Sequence, residues 1–212
     1  MKQIVAAKKL NLAIMASGRG SNFASINEAI RRGDLDAEIK ILISDKPDAQ
    51  ALEKAKDFNI IAKYINPKDY PNRDAYEEEL VKTLKNLDID LLVLAGYMRL
   101  VGSRLLSSFE NRVINIHPAL LPAFPGLHAQ RQALEYGVKY TGCTVHIVDE
   151  GMDSGPIIKQ VVLPIYLDDT EESLTKRILQ EEHQIYWRAI QLFAQGQVYL
   201  KGRRVIILEK ED

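Results

Sequence analysis

Short apolar runs alternate with amphipathic stretches over the first 117 residues of the chain. Apolar runs of this length are typical of strands, and apolar side chains every three or four residues are typical of helices. Strands are predicted at residues 10–16, 38–43, 60–65, 91–95 and 112–117. Helices are predicted between them at residues 22–32, 49–58, 72–87 and 103–109. The run at residues 91–95, LLVLA, is apolar on both faces, as in a central strand of a parallel sheet.

The rest of the chain predicts two further strands, one long helix and a hairpin. The strands are predicted at residues 141–149 and 156–163, the helix at 171–195, and the hairpin at 198–207 with Lys201 and Gly202 at its turn. Strands that alternate with helices favour right-handed crossovers and an open α/β sheet. Ligands bind such sheets beyond the carboxyl ends of the strands, so functional residues are expected just after strands.

Composition limits the organisation of the protein and its partners. A chain of 212 residues and 24.0 kDa predicts one domain over residues 1–212, with residues 1–9 as an N-terminal extension. Its 28 Lys and Arg against 29 Asp and Glu give no general attraction to nucleic acid or membrane. Cys143 is the one cysteine, which excludes an internal disulfide and fits a reducing cytoplasm. No run approaches the roughly 20 apolar residues of a membrane span, so a cytoplasmic location is expected.

A glycine-rich turn, SGRGSN, follows the first predicted strand at residues 17–22. Free amides at the start of the next helix, with the positive end of the helix dipole, form an anion site, and Arg19 adds charge. The turn lacks the Lys-Thr pair of a P-loop, and Phe23 replaces the third glycine of the dinucleotide fingerprint. A single phosphate is therefore predicted. The alternative is a plain turn with Ser21 as a helix cap.

An Asn and a His stand two places apart at the end of the fifth predicted strand. Because side chains alternate along a strand, Asn115 and His117 face one way and Ile116 faces the core. Pro118 favours an extended conformation of His117. An amide that can donate to a developing oxyanion, beside an imidazole that can move a proton, suits a reaction at a carbonyl. The alternative is a His bonded to a loop carbonyl and an Asn that supports a turn.

Acidic side chains follow the next strand and interrupt the last helix. Asp149, Glu150 and Asp153 crowd one turn, and a carboxylate facing His117 would favour its charged form and fix its orientation. Spacing does not decide which acid does this, and a solvated acidic turn is the alternative. On the last helix, Glu182 projects from an apolar face, which is costly unless it meets a ligand hydroxyl or a structural Arg.

Several segments together resemble the glycinamide ribonucleotide formyltransferases. They are SGRGSNF, AGYMRLV, NIHPALLP, PGLHAQRQAL, TGCTVHIVDEGMDSGPII and EEH, and the likeness runs over about residues 11–195. The resemblance implies a Rossmann-like α/β fold with an open, mostly parallel sheet flanked by helices. It also implies transfer of a formyl group from 10-formyltetrahydrofolate to the amine of glycinamide ribonucleotide in purine synthesis.

The resemblance assigns roles by motif. Asn115, His117 and Asp153 take the catalytic places. The residues that match the family's binding site for the ribonucleotide phosphate and ribose are Gly20, Ser21, Asn22 and Glu182. The residues that match the family's folate-binding site are Arg73, Met98, Arg99, Leu100, Val101, Asn115, Val148 and Glu150.

Three departures from the family pattern qualify these roles, and one of them is that residues 1–9 have no assignable counterpart in the family. Leu179 stands where the family has a polar residue near the phosphate, with Gln180 as the candidate substitute, and Ala119 stands where Ser is common. No metal is expected, since the sequence has no HExxH or CxxC cluster. Cys143 is interpreted as packing. The expected partners are the two small molecules, without nucleic acid or membrane, and a homodimer is allowed.

Other interpretations fit parts of the sequence. The formyl folate hydrolase and the methionyl-tRNA transferase each normally carry an extra domain that 212 residues do not accommodate. A nucleotide-binding domain without catalysis would need the glycine turn, but not Asn115, His117 and Asp153 together. A nicotinamide dehydrogenase is disfavoured by Phe23 in the third glycine's place.

Overall fold

The structure is a computed structural model that describes residues 1–208 of the chain. The strands are β1 (Lys2–Gln3), β2 (Leu10–Met15), β3 (Ala37–Ser44), β4 (Ala62–Tyr64), β5 (Leu91–Leu94), β6 (Val113–His117), β7 (Tyr140–Ile147), β8 (Ile157–Pro164), β9 (Val198–Lys201) and β10 (Arg204–Ile207). The helices are α1 (Ser21–Arg32), α2 (Gln50–Asp57), α3 (Arg73–Lys85), α4 (Ser103–Ser108), α5 (Ala129–Tyr136) and α6 (Glu171–Ala194), with a 3-10 turn at Pro67–Asp69.

A seven-stranded sheet in the order β4-β3-β2-β5-β6-β7-β8 organises the molecule. The pairs from β4 to β6 are parallel, and β6 with β7 and β7 with β8 are antiparallel. The predicted class, an open and mostly parallel sheet flanked by helices, is confirmed.

The alternation of side chains along the central strands produces two apolar layers. Leu12 and Ile14 of β2 belong to the cluster that α1 and α6 cover, whereas Ala13 and Met15 belong to the cluster on the other face, with α3 and α4. Both faces of β2 are therefore buried, which is why its sequence is apolar almost throughout.

One hydroxyl anchors α6 to the centre of the sheet. Tyr186 is buried, and its hydroxyl oxygen lies 2.8 Å from the carbonyl oxygen of Leu94 on β5 and 3.2 Å from that of Ile114 on β6. Residues one turn earlier on α6 therefore reach the start of α1. There, Ser25 donates to the carbonyl of His183 at 2.6 Å.

Three features differ from the sequence prediction. Helix α5 was not predicted, because it is only eight residues long and starts after His128 in the left-handed region. Residues 2–3 form a short strand on β9, although residues 1–9 had no predicted structure. The hairpin of β9 and β10 is present, but Lys201 pairs with Arg204, so the turn holds Gly202 and Arg203, one residue later than expected.

Candidate active site

The end of β6 places the Asn and His side chains at the carboxyl edge of the sheet. His117 is 4% exposed and Asn115 is half-buried. The imidazole Nε2 lies 2.8 Å from the carbonyl oxygen of Phe124, and Nδ1 lies 3.3 Å from Oδ2 of Asp153. Since a carbonyl oxygen only accepts, Nε2 carries a proton that it donates to Phe124.

Asp153 is the acid that faces His117. The turn between β7 and β8 folds back over the sheet, and Asp153 has a left-handed backbone with φ of 50°. Its Oδ2 also accepts the backbone N–H of Gly126 at 2.8 Å. Asp149 instead accepts the hydroxyl of Ser154 at 2.6 Å within the turn, and Glu150 is exposed. The choice that the sequence left open therefore falls on Asp153 by geometry.

Burial and charge act in opposite directions on this pair. Burial lowers the pKa of His117, and this outweighs the carboxylate of Asp153 and the bond to Phe124, which raise it. Burial alone would raise the pKa of Asp153. Hydrogen bonding by His146 and Gly126, together with the potential of His117, lowers it below its ordinary value instead. The sequence predicted that the acid favours charged His117. That is correct for the effect of Asp153 on the pKa of His117, but burial has the larger and opposite effect.

His146 also belongs to this cluster, and the sequence reasoning missed it. It lies on β7 directly opposite Asn115 of β6, and it is 2% exposed. Its Nε2 lies 3.3 Å from Nδ2 of Asn115 and 3.6 Å from Oδ1 of Asp153, and its Nδ1 lies 3.0 Å from the carbonyl oxygen of Ile147. The available signal was a polar ring inside the apolar run CTVHIV, since such a ring requires partners.

The glycine turn presents the first amides of α1 without a side-chain cap. Gly20 is the N-cap, with φ of 65°, and no side chain bonds to the cap position. Ser21 is the first helical residue, so its interpretation as the cap is wrong. A cavity of about 530 Å³ lies beside the turn and is lined by Arg19, Glu171, Glu172, Thr175, Lys176 and Leu179. Gln180, the substitute proposed for Leu179, is not among the lining residues.

Glu182 is buried against the same turn. It is 7% exposed, and its Oε2 accepts the Nδ2 amide of Asn22 at 2.8 Å. Its partner is therefore an amide and not the structural Arg that the sequence allowed. Burial raises the pKa of Glu182 to about 7, although the bond from Asn22 opposes that shift. A carboxyl group in this state needs a further polar partner when it ionises.

The segment after β5 contributes backbone and apolar groups to the same edge. Met98 and Leu100 are 67% and 61% exposed, whereas Val101 is buried. The guanidinium of Arg99 lies 5.7 Å from the ring centre of Tyr76. On α3, Arg73 donates to the carbonyl of Leu100 at 2.7 Å, which brings it to this segment.

The turn after β7 places the remaining two folate candidates differently. The amide of Val148 donates to the carbonyl of Val113 at 2.8 Å, and the side chain packs against the cluster that α3 and α4 cover. Glu150 is exposed at the outer part of the turn and makes no hydrogen bond through its side chain within residues 1–208.

Other kinds of site find no support in the described part of the chain. Residues 1–208 contain no group of three or more His, Cys, Asp or Glu side chains that could hold a metal ion. No helix there is both long and apolar enough to cross a bilayer. Cys143 is buried, and burial raises the pKa of its thiol to about 12, which is the behaviour of a packing residue.

Fold and site together define a formyl transferase. The chain matches the family described as "Formyl transferase" over residues 10–190, and it belongs to that family. The phosphoribosylglycinamide formyltransferase of Bacillus subtilis (strain 168) is 46% identical over 174 residues, which cover 82% of this chain and 89% of that protein. The trifunctional purine biosynthetic protein adenosine-3 of Drosophila melanogaster is 41% identical over 92% of the chain, which spans 15% of that protein's length.

Solved structures show the same relationship. The glycinamide ribonucleotide transformylase 1 of Symbiobacterium toebii has a TM-score of 0.93 and 48% identity, with 94% of each chain covered. A formyltetrahydrofolate deformylase from Pseudomonas syringae pv. tomato has a TM-score of 0.87 and 27% identity, covering 96% of this chain and 67% of that one. The resemblance to glycinamide ribonucleotide formyltransferases drawn from the sequence is confirmed.

Proposed function

We propose that this protein, a formyltransferase of purine biosynthesis, moves the formyl group of 10-formyltetrahydrofolate to the amine of glycinamide ribonucleotide by direct attack. The single observation that carries the proposal is the meeting of three groups at one edge of the sheet. Asn115, His117 and Asp153 come from two separate segments, and Nδ1 of His117 lies 3.3 Å from Oδ2 of Asp153. No covalent enzyme intermediate and no metal takes part.

The amine nitrogen attacks the formyl carbon, and the carbonyl oxygen becomes an oxyanion. The Asn115 amide and the Nε2–H of His117 donate to that oxyanion. For this, the formyl oxygen replaces the carbonyl of Phe124, which accepts the same Nε2–H at 2.8 Å. The bond from the formyl carbon to the folate nitrogen then breaks. The amine passes a proton to a water molecule held by the carboxylate of Asp153, and that water relays the proton to the leaving folate nitrogen.

The ribonucleotide is held at the start of α1. The backbone amides of Gly20, Ser21 and Asn22 bind the phosphate, with the helix dipole in their favour. Glu182 accepts hydrogen bonds from the ribose hydroxyls and takes its charged form when they bind. Its burial beside Asn22 supports this assignment, because the sugar would supply the polar partners that the carboxylate needs.

The folate lies along the segment after β5 and the turn after β7. Met98, Leu100 and Val101 supply backbone and apolar contacts. The other contacts come from Arg73, Arg99, Asn115, Val148 and Glu150. The exposure of Met98 and Leu100, two large apolar side chains on one segment, supports an apolar ligand there.

Both reactants are small molecules. The near-neutral charge and the pathway favour a cytoplasmic enzyme that does not act on nucleic acid.

A hydrolase that releases formate is the second candidate, because a deformylase shares the fold. The glycine turn and buried Glu182 favour the transferase, since water as the acceptor needs neither. Mixing the protein with 10-formyltetrahydrofolate, with and without glycinamide ribonucleotide, and following the folate absorbance tests this. We expect turnover only with both. Turnover without the amine would favour the hydrolase, and no turnover with both would contradict the proposal.

A further inference from the structure

Ser17 links the ends of three neighbouring strands, yet it belongs to neither proposed substrate site. Its backbone N–H donates to the carbonyl of Gly96 at 3.0 Å. Its hydroxyl donates to Oδ1 of Asp45 at 2.6 Å and accepts the backbone N–H of Met98 at 2.9 Å. Asp45 follows β3, Ser17 follows β2 and Met98 follows β5, so the side chain spans the carboxyl edge of the sheet.

The direction of this hydrogen-bonded chain follows from the groups involved. A backbone N–H can only donate, so the oxygen of Ser17 accepts that of Met98, and the hydroxyl has one proton to give to another group. The proton of Ser17 therefore points to Asp45, and the lone pairs of its oxygen are left for the N–H of Met98. Asp45 is 6% exposed, and among residues 1–208 the bond from Ser17 is the hydrogen bond that its side chain makes. A buried carboxylate thus fixes the rotamer of Ser17.

The two segments that this hydroxyl joins have different proposed ligands. Residues 18–22 continue directly from Ser17 into the phosphate turn. Residues 98–101 hold the folate, and the exposure of Met98 and Leu100 means that packing contributes little to their position. The backbone bond of Met98 to the hydroxyl therefore restrains the start of that segment, while the bond from Arg73 to Leu100 and the burial of Val101 hold its end.

We propose that Ser17, oriented by Asp45, is a positioning residue that holds the phosphate turn and the folate segment at a fixed separation and couples the binding of the two substrates. The inference rests on the proposed function. Direct transfer needs the attacking nitrogen and the formyl carbon to lie about 3–3.5 Å apart. A misplacement of about 1 Å can lower the rate about 100-fold. Because coupling is reciprocal, each ligand tightens the other by the same factor.

The test is a pair of binding titrations with ligands that cannot react. Tetrahydrofolate, which has no formyl group, is titrated by fluorescence into the protein with and without saturating glycinamide ribonucleotide. We expect the wild type to bind tetrahydrofolate about fivefold or more tightly with the ribonucleotide present. In Ser17→Ala that ratio should fall close to one. Ser17→Thr keeps the hydroxyl and should keep the ratio, as should Asp45→Asn, which keeps an acceptor.

A matched control separates coupling from general loosening. Ser44 lies at the end of β3 and is fully buried, and within residues 1–208 its hydroxyl exchanges hydrogen bonds of 3.0 and 3.1 Å only with the backbone of Lys46. Ser44→Ala should leave the ratio unchanged. A wild-type ratio of one, a wild-type ratio in Ser17→Ala, or an equal loss in Ser44→Ala would each overturn the inference. A wild type that binds neither ligand would overturn the proposed function as well.

Discussion

At the scale of the residue, burial sets the ionisation of the site as much as charge does. His117 and Asp153 form a pair in which each partner favours the charged form of the other, while burial disfavours both charges and hydrogen bonding by His146 and Gly126 supports that of Asp153. The pair can therefore take up or release a proton without large rearrangement, because Nδ1 and Oδ2 already face each other at 3.3 Å. This property suits a site that must move one proton between an amine and a leaving nitrogen.

Replacing Asp153 by Asn tests the charge contribution directly. Since the carboxylate raises the pKa of His117, its removal should lower that pKa further below its ordinary value. An NMR titration of the His117 ring measures the change, and transfer activity should fall in parallel. Glu150→Gln, an exposed change on the same turn, is the control and should leave the titration where it is. An unchanged or raised pKa in Asp153→Asn would contradict the pairing.

Glu182 links ligand binding to stability. Its pKa of about 7 lies above the ordinary value of 4.5, so its ionisation costs folding free energy. That cost is absent below pH 4.5 and complete above pH 7, where it amounts to about 3 kcal/mol. Without ligand, Glu182→Gln should therefore be more stable than the wild type at pH 8, with little difference near pH 4.5. It should also raise the KM for the ribonucleotide and leave the folate KM unchanged.

Urea unfolding at pH 4.5 and pH 8 measures this prediction. Glu181→Gln, on the same helix and half-buried, is the matched control. The same stability difference between Glu182→Gln and the wild type at both pH values would contradict a buried carboxyl that resists ionisation.

At the scale of the element, the sequence shows which residues share a strand edge but not how a turn folds back. Asn115 and His117 follow from the two-residue period of β6 and from Pro118. The choice of Asp153 over Asp149 could not follow, because it depends on a left-handed backbone at Asp153 and on contact with Gly126, 27 residues away. The place of His146 in the site could not be predicted either, because only the pairing of β6 with β7 brings it to Asn115.

The two glycines of the first turn give an element-scale prediction with its own control. Gly20 has φ of 65°, and an added Cβ would lie 2.7 Å from that of Ala51. Gly18 has no atom within 4 Å of such a Cβ. Gly20→Ala should therefore lower stability by about 1–3 kcal/mol and raise the KM for the ribonucleotide, because the first amides of α1 shift. Gly18→Ala should change both little. Denaturant unfolding and steady-state kinetics measure the pair, and equal effects would count against a strained phosphate turn.

At the scale of the whole molecule, the strand order brings the substrate segments together. Strands β2, β5 and β6 are neighbours, so the phosphate turn, the folate segment and the Asn-His pair leave the sheet side by side. Apolar runs predicted that these strands exist and are parallel. They could not predict that β5 pairs with β2, because that register depends on packing between residues about 80 positions apart. The pairing of β1 with β9 could not be predicted either, because it joins residues far apart in the sequence and consists of only two residue pairs.

The central claim is that His117 acts on the transferred formyl group itself. The most direct measurement is single-turnover formation of formylated ribonucleotide by wild type and His117→Ala, with the dissociation constants of both ligands measured separately. Loss of the imidazole should slow transfer by about 100- to 10,000-fold, with both dissociation constants and the fold close to those of the wild type. Transfer at a rate near that of the wild type, with both ligands bound, would remove His117 from the chemistry and contradict the account.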